Sequence, residues 1–171
     1  MICMIKFMLA IMIIINPLWP LGDNPRAGDP FIIINKSINK LAFINEGKIQ
    51  KVYSVATGKT PKLTPEGLFN VVFKVKNPYF RKKKIPGGDP RNPLGSRWIG
   101  FDAENTDGTI YGIHGNNDPT SIGKYISNGC VRMRNEEVNE LYEKVPIGTK
   151  VFIVNTSKSF EQLAKEKGAI R

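Results

Sequence analysis

Short apolar segments rich in β-branched residues, separated by turn-forming residues, fill the chain after residue 30. No long amphipathic helical pattern occurs among the first of them, and their near alternation of apolar and polar residues favours antiparallel sheet. Glu46-Gly47 lies between two of the segments and suits a hairpin turn. Four strands are predicted in this part of the chain: 31–35, 40–45, 48–57 and 68–75.

The second half of the chain adds strands and one substantial helical pattern. Asn135 is the predicted N-cap of that helix, and Pro146 ends it. The fold class is therefore predicted to be mostly β, a sheet-rich sandwich or barrel-like fold with one principal α-helix. The remaining predicted elements are strands at 97–103, 109–114 and 148–154, a short helix at 119–125, the principal helix at 135–145 and a short helix at 159–167.

The first 21 residues have the pattern of an export signal or membrane anchor. Lys6 precedes an apolar run of nine residues, 7–15. Such a run fits the core of a signal peptide but is short of the roughly 20 residues that span a bilayer. We expect residues 22–29 to be a linker, 30–155 one folded domain and 156–171 a C-terminal extension.

The chain is strongly basic, with 25 Lys and Arg against 15 Asp and Glu and a net charge of +10. A basic surface attracts polyanions, which include nucleic acid, anionic lipid and the acidic polymers of a bacterial cell wall. Charge alone does not choose among these. No zinc-ligand cluster, phosphate-binding loop or dinucleotide fingerprint is present in the sequence, so neither a metal nor a cofactor is predicted.

The segment 111–133 holds the only histidine of the chain and its only cysteine beyond residue 3. A cysteine nucleophile attacks as its thiolate and needs a base or a positive environment to form it. His114 supplies the one imidazole, and the turn formers at 115–119 suit a loop that returns Cys130 towards it. The alternative interpretation is structural, because a lone cysteine is more often a small buried apolar residue.

Two neighbours of Cys130 suit the same chemistry. Gly129 permits close approach of the backbone to a substrate, and main-chain N–H groups at such a turn can stabilise an oxyanion. Arg132 is permanently charged and can hold a carboxylate or favour the thiolate. Arg132 also has the alternative of being an ordinary surface charge.

The residues Tyr-Gly-Ile-His-Gly at 111–115, followed by Ser-Asn-Gly-Cys-Val-Arg-Met at 127–133, resemble the signature of the L,D-transpeptidase catalytic domain, the YkuD family. The resemblance covers about residues 30–155. It implies Cys130 as nucleophile, His114 as general base oriented by the carbonyl of Gly115, and Arg132 as a residue that shapes the acyl pocket. Substrate or oxyanion contacts are expected from Gly115, Ser127, Asn128 and Gly129. Many members carry a second histidine where this chain has Asn128.

The resemblance implies an exported bacterial enzyme that acts on peptidoglycan at the cell wall or the outer face of the cytoplasmic membrane. The implied reaction joins two stem peptides by a 3-3 cross-link through a cysteinyl thioester, without a cofactor. Carbapenem-type β-lactams are the implied inhibitors. Anionic wall polymers are further expected partners, nucleic acid is not, and we expect a monomer.

Three alternatives remain from the sequence. The same site can use water as acceptor, which makes the protein an L,D-carboxypeptidase. The second alternative is a non-catalytic, basic wall-binding module. The third is a nucleic-acid binder, which the charge permits but which the export signal and the absence of a recognition motif argue against.

The segment 77–97 is a long loop that contains Arg81-Lys82-Lys83-Lys84. It is interpreted either as a solvated run of charges, which is favoured, or as a basic flap near the site.

Overall fold

The computed structural model of this protein describes residues 26–171. The predicted leader at 1–21 lies outside these residues, as does the first half of the predicted linker, 22–25. No helix in the described range is long and apolar enough to cross a membrane. The range contains ten strands and two α-helices: β1 Phe31–Asn35, β2 Lys40–Asn45, β3 Lys48–Ser54, β4 Thr57–Gly58, β5 Gly67–Lys76, β6 Arg97–Phe101, β7 Gly112–His114, β8 Tyr125–Ser127, β9 Val131–Arg132, α1 Asn135–Lys144, β10 Lys150–Val154 and α2 Phe160–Glu166.

Eight of these strands form one curled sheet, a half-barrel, in the order β3-β2-β1-β10-β5-β6-β7-β9. Most neighbours are antiparallel, whereas β1–β10 and β7–β9 are parallel pairs. The short strands β4 and β8 pair in parallel beside the sheet. The mostly β fold that the sequence predicts is therefore confirmed.

The first three strands follow directly from their sequence. Glu46 and Gly47 have φ values of 53° and 71°, the positive values that a tight hairpin turn between β2 and β3 needs. All five residues of β1 are buried, because this strand lies inside the sheet with packing on both faces. Ile32 and Ile34 belong to the larger of two core clusters, which also contains residues of α1, and Phe31 and Ile33 to a second cluster with residues of α2.

Helix α1 packs against the sheet through Val138 and Leu141, which are fully buried. Its predicted N-cap is wrong by one residue. Arg134 occupies the cap position and makes no side-chain cap bond, and Asn135 is the first helical residue. The Asn135 side chain does not cap its own helix because it bonds the turn after β7, at Asn116.

Three short strands were not predicted: β4, β8 and β9. Each has two or three residues, too few to show an alternating pattern. Strand β8 nevertheless precedes Cys130, β9 follows it directly, and β4 pairs with β8. The main chain of Arg132, in β9, also bonds that of Ala56 in both directions.

Candidate active site

The pairing of β7 with β9 brings the two segments that carry the sequence-predicted reactive residues side by side. In this parallel pair, Ile113 faces Val131 and His114 faces Arg132. Successive side chains of a strand point to opposite faces, and Ile113 and Val131 are both fully buried in the core. His114 and Arg132 therefore lie on the opposite face. Cys130 directly precedes β9 and therefore lies beside the start of β7.

The Cys130 thiol lies against the main chain just before β7 and at its first residue, Gly112. Its Sγ donates to the carbonyl of Ile110 at 3.3 Å and is only partly exposed. Burial raises the pKa of the thiol to about 11. The N–H of Gly112 and the charges of Arg132 and Lys82 act in the opposite direction on this pKa but do not overcome burial. The resting sulfur is therefore a neutral thiol near neutral pH.

The His114 imidazole is 4% exposed, and its Nδ1 lies 2.7 Å from the carbonyl oxygen of Gly115. A carbonyl only accepts, so we assign the proton of the neutral ring to Nδ1 and the lone pair to Nε2. Burial lowers the pKa of His114 to about 4. The carbonyls of Gly115 and Leu94 raise this pKa and the Arg132 charge lowers it further, so that the neutral ring persists at neutral pH.

Trp98 supports the imidazole from the neighbouring strand β6. The two rings stack with centroids 5.3 Å apart and an interplanar angle of 13°. The indole Nε1 donates to the carbonyl of Gly108 at 2.7 Å. A Cβ at Gly112 would lie 2.6 Å from the indole ring, so only glycine leaves room for it. Sequence analysis did not identify Trp98, although Gly112 next to the predicted base was a signal for a closely packed ring.

The turn before Cys130 is closed by a side chain that the sequence also singled out. The hydroxyl of Ser127 donates to the carbonyl of Cys130 at 2.6 Å and accepts the N–H of Gly129 at 3.1 Å. Gly129 has φ of +132°, and a Cβ there would lie 2.6 Å from the carbonyl oxygen of Leu63. Glycine is therefore required at this position. Asn128, at the tip of the turn, is exposed.

The turn after His114 is held by Asn135 of α1. The Asn135 Oδ1 accepts the N–H groups of Ser96 and Asn116 at 3.3 and 3.2 Å. Its Nδ2 donates to the Asn116 carbonyl at 2.9 Å. A Cβ at Gly115 would lie 2.1 Å from this Oδ1, so Asn135 packs directly on the residue whose carbonyl orients His114. Sequence analysis assigned Asn135 only to helix capping and missed this role.

The basic run of the long loop lies near the thiol. Residues Arg81–Lys83 form a short 3-10 helix with no buried residue, and Lys84 is exposed as well. The charge of Lys82 lowers the pKa of Cys130, and that of Arg81 lowers the pKa of Asp107. We call residues 81–84 the basic flap. Its charges lie within electrostatic range of Cys130. A run of charges that only contacts solvent need not lie so near the site.

A separate recess of about 340 Å³ lies beside β4 and β8, and neither Cys130 nor His114 lines it. No group of three His, Cys, Asp or Glu side chains that could hold a metal ion occurs within residues 26–171. The recess is lined by Lys36, Ser37, Thr57, Gly58, Lys59, Thr60, Pro61, Tyr125 and Asn155.

The sequence profile of the L,D-transpeptidase catalytic domain, YkuD, matches residues 29–153. The chain belongs to the YkuD family. A YkuD-family relative from Bacillus subtilis (strain 168), the putative L,D-transpeptidase YqjB, is 57% identical over 164 residues. The alignment covers 96% of this chain and 93% of the relative. The likeness extends over almost the whole of both proteins.

Solved structures show the same fold at lower identity. The catalytic domain of the E. faecium L,D-transpeptidase, acylated by ertapenem, has a TM-score of 0.56 at 22% identity and covers 75% of this chain and 99% of that chain. The Ldtfm–avibactam carbamoyl enzyme has a TM-score of 0.57 at 22% identity. This second match covers 75% of this chain and 49% of that chain, so the chain spans about half the length of that YkuD-fold protein.

Proposed function

We propose that this protein is a cysteine-dependent L,D-transpeptidase that forms 3-3 cross-links between peptidoglycan stem peptides through a thioester on Cys130. One observation carries the proposal. The parallel pairing of β7 with β9 sets Cys130, directly before β9, beside the strand that ends at His114, and the partly exposed sulfur bonds the carbonyl of Ile110 just before that strand. Membership of the YkuD family supports the reaction class.

The first half-reaction begins from a neutral pair. The Cys130 proton passes to Nε2 of His114 as the sulfur attacks the carbonyl carbon of the third residue of a donor tetrapeptide. This third residue is a diamino acid such as meso-diaminopimelate. The imidazolium then gives this proton to the departing amine of the terminal D-alanine, and a thioester remains. Because the pKa values of about 11 and 4 disfavour charge separation in the free enzyme, proton transfer accompanies attack on a bound substrate.

Main-chain N–H groups of the turn 127–130 stabilise the oxyanion that forms in this step. The Gly129 N–H is engaged by the Ser127 hydroxyl. The N–H groups of Asn128 and Cys130 are therefore the proposed donors, and Ser127 and Gly129 keep the turn in shape. Arg132 attracts a carboxylate of the stem peptide.

The second half-reaction transfers the acyl group to the side-chain amine of an acceptor stem. Both the broken and the formed bond are amides, so the reaction needs no external energy source. Water in place of the amine gives the L,D-carboxypeptidase reaction. We place the enzyme at the cell wall or the outer face of the cytoplasmic membrane, with residues 1–21 as export signal or anchor. The basic flap and the net charge of +10 favour contact with anionic wall polymers there.

The test is acylation by ertapenem, followed by intact-mass measurement. The E. faecium relative is acylated by this compound. We expect one adduct on the wild-type chain, none on Cys130→Ala and much slower addition to His114→Ala. No adduct on the wild type, or equal addition to all three proteins, would overturn the proposed mechanism. Circular dichroism of both variants verifies that they are folded.

A further inference from the structure

We propose that Glu104 and Tyr111 form a subsite that binds the ammonium group of the acceptor stem. The inference rests on the proposed function and extends it, because it names the residues that favour an amine over water in the second half-reaction. Neither residue belongs to the sequence-predicted site.

Tyr111 lies beside the turn that carries the Cys130 sulfur. The Cys130 Sγ donates to the carbonyl of Ile110, which is the peptide oxygen immediately before Tyr111. A Cβ at Gly129 would lie 3.2 Å from Cε1 of the Tyr111 ring, so the phenol packs against the turn that carries the thiol. The pKa of Tyr111 is raised chiefly by its bond to Glu104, and the nearby Cys130 contributes to the rise.

Glu104 is aimed at the phenol by an unusual backbone. The Tyr111 hydroxyl donates to Oε2 of Glu104 at 2.6 Å. Glu104 and Asn105 both have left-handed backbone conformations, with φ of 55° and 59°, which are costly for residues other than glycine.

The Glu104 carboxylate is available to a cation. The side chain is exposed, and no ion pair of the described residues includes it. The charges that lower the pKa of the thiol, Arg132 and Lys82, are both positive and repel an ammonium group. Glu104 supplies the opposite charge on the Tyr111 side of the sulfur. A positively charged acceptor is therefore favoured on the side of Glu104. A negatively charged group of the donor is favoured near Arg132 and Lys82.

The chemistry of the second half-reaction needs such a site. The thioester C–S bond breaks and an amide C–N bond forms. The ammonium nitrogen loses two protons. One leaves to water and gives the neutral amine. Neutral His114 accepts the other from the reacting nitrogen and returns it to the Cys130 sulfur. Glu104 holds the ammonium form beside the thioester until the first proton is lost, and a water molecule receives no comparable attraction.

The experiment measures how the acyl-enzyme partitions between amine and water. The donor is a tetrapeptide stem, and the acceptor is meso-diaminopimelate or, as an uncharged nucleophile, hydroxylamine. We expect Glu104→Gln to lower the ratio of transfer to hydrolysis with diaminopimelate by about tenfold or more, the loss expected for a charge-assisted bond. Transfer to hydroxylamine and acylation by ertapenem should remain within about twofold of wild type, since neither depends on an ammonium group.

Asp107→Asn is the matched control. It removes one negative charge from the same loop but keeps the Oδ1 that accepts from Thr109. Tyr111→Phe keeps the packing against Gly129 and removes the hydroxyl, and we expect it to lower the diaminopimelate ratio with hydroxylamine transfer retained.

Three results would overturn the subsite: equal losses in Glu104→Gln and Asp107→Asn, loss of hydroxylamine transfer together with amine transfer, or a wild-type enzyme that hydrolyses the donor but never transfers it. In each case normal acylation by ertapenem leaves the thioester mechanism standing. Failure of the wild type to be acylated at all overturns both proposals.

Discussion

Asn135→Ala tests whether one side chain of α1 positions His114, the proposed general base. The substitution removes bonds of 3.3, 3.2 and 2.9 Å to the main chain of Ser96 and Asn116. At a net value of about 0.5–1 kcal/mol for each part-buried bond, we expect the free energy of unfolding to fall by about 2 kcal/mol. For a domain of this size, this loss lowers the melting temperature by about 4–8 °C.

The effect of Asn135→Ala on chemistry should exceed its effect on folding. Without Asn135, the Gly115–Asn116 turn is free to move, and the Gly115 carbonyl no longer fixes Nδ1 of His114. We expect acylation of Cys130 by ertapenem to slow by about tenfold or more, because small displacements of a catalytic group are costly. The rate is measured by intact mass over time, well below the melting temperature of either protein.

Asn139→Ala supplies the comparison. Asn139 lies one turn further along α1 and accepts a 2.6 Å bond from the Ser96 hydroxyl, without a bond to the turn after His114. Its loss should lower stability slightly and leave acylation unchanged. The reasoning is refuted if Asn135→Ala lowers the melting temperature yet acylates at the wild-type rate, or if Asn139→Ala is slowed equally.

Three further outcomes follow from buried contacts. The pKa of His114 is lowered from 6.5 to about 4 by burial, so the unfolded chain binds this proton more readily. Stability should therefore fall by up to about 3 kcal/mol as pH drops through this window, and urea unfolding of His114→Gln should lack this component. Trp98→Phe leaves the Gly108 carbonyl without its 2.7 Å donor; we expect a loss of about 2 kcal/mol in urea unfolding and slower acylation. Lys36→Met removes Nζ bonds of 2.7 and 2.8 Å to main-chain carbonyls of the loop that packs on Gly129. Calorimetry should show a loss of about 3 kcal/mol, and wild-type stability would contradict a structural role for this buried lysine.

The strands near the start of the folded domain were predictable because their β-branched composition and the turn residues between them both indicate antiparallel strands. The bounds of β1 and β2 match the predicted 31–35 and 40–45, and Glu46-Gly47 forms the expected turn. Strand β9 was not predictable, because its two residues are too few to show an alternation of apolar and polar side chains. Its place is fixed by pairing with β7, which depends on the whole sheet.

The candidate pair of His114 and Cys130 was recognisable from rarity and spacing and remains a prediction, whereas the residues that contact His114 were not predictable. His114 and Cys130 stand out as the single histidine and the single cysteine beyond residue 3. Trp98 and Asn135 act on His114 across strands and from a helix, and nothing local distinguishes them from ordinary core and cap residues. Likewise, the Tyr111 bond to Glu104 depends on two successive left-handed residues that no sequence pattern indicated.

The two shifted pKa values also decide how Arg132 can contribute. Its charge lowers the pKa of Cys130, which favours the thiolate, and lowers the pKa of His114, which disfavours the imidazolium. Transfer of the proton from sulfur to imidazole depends on the difference between these two pKa values, so the two effects of Arg132 oppose each other. We therefore expect Arg132 to do less for this proton transfer than for a group that arrives with the substrate. We propose a donor carboxylate as that group, because a guanidinium binds a carboxylate through two parallel hydrogen bonds.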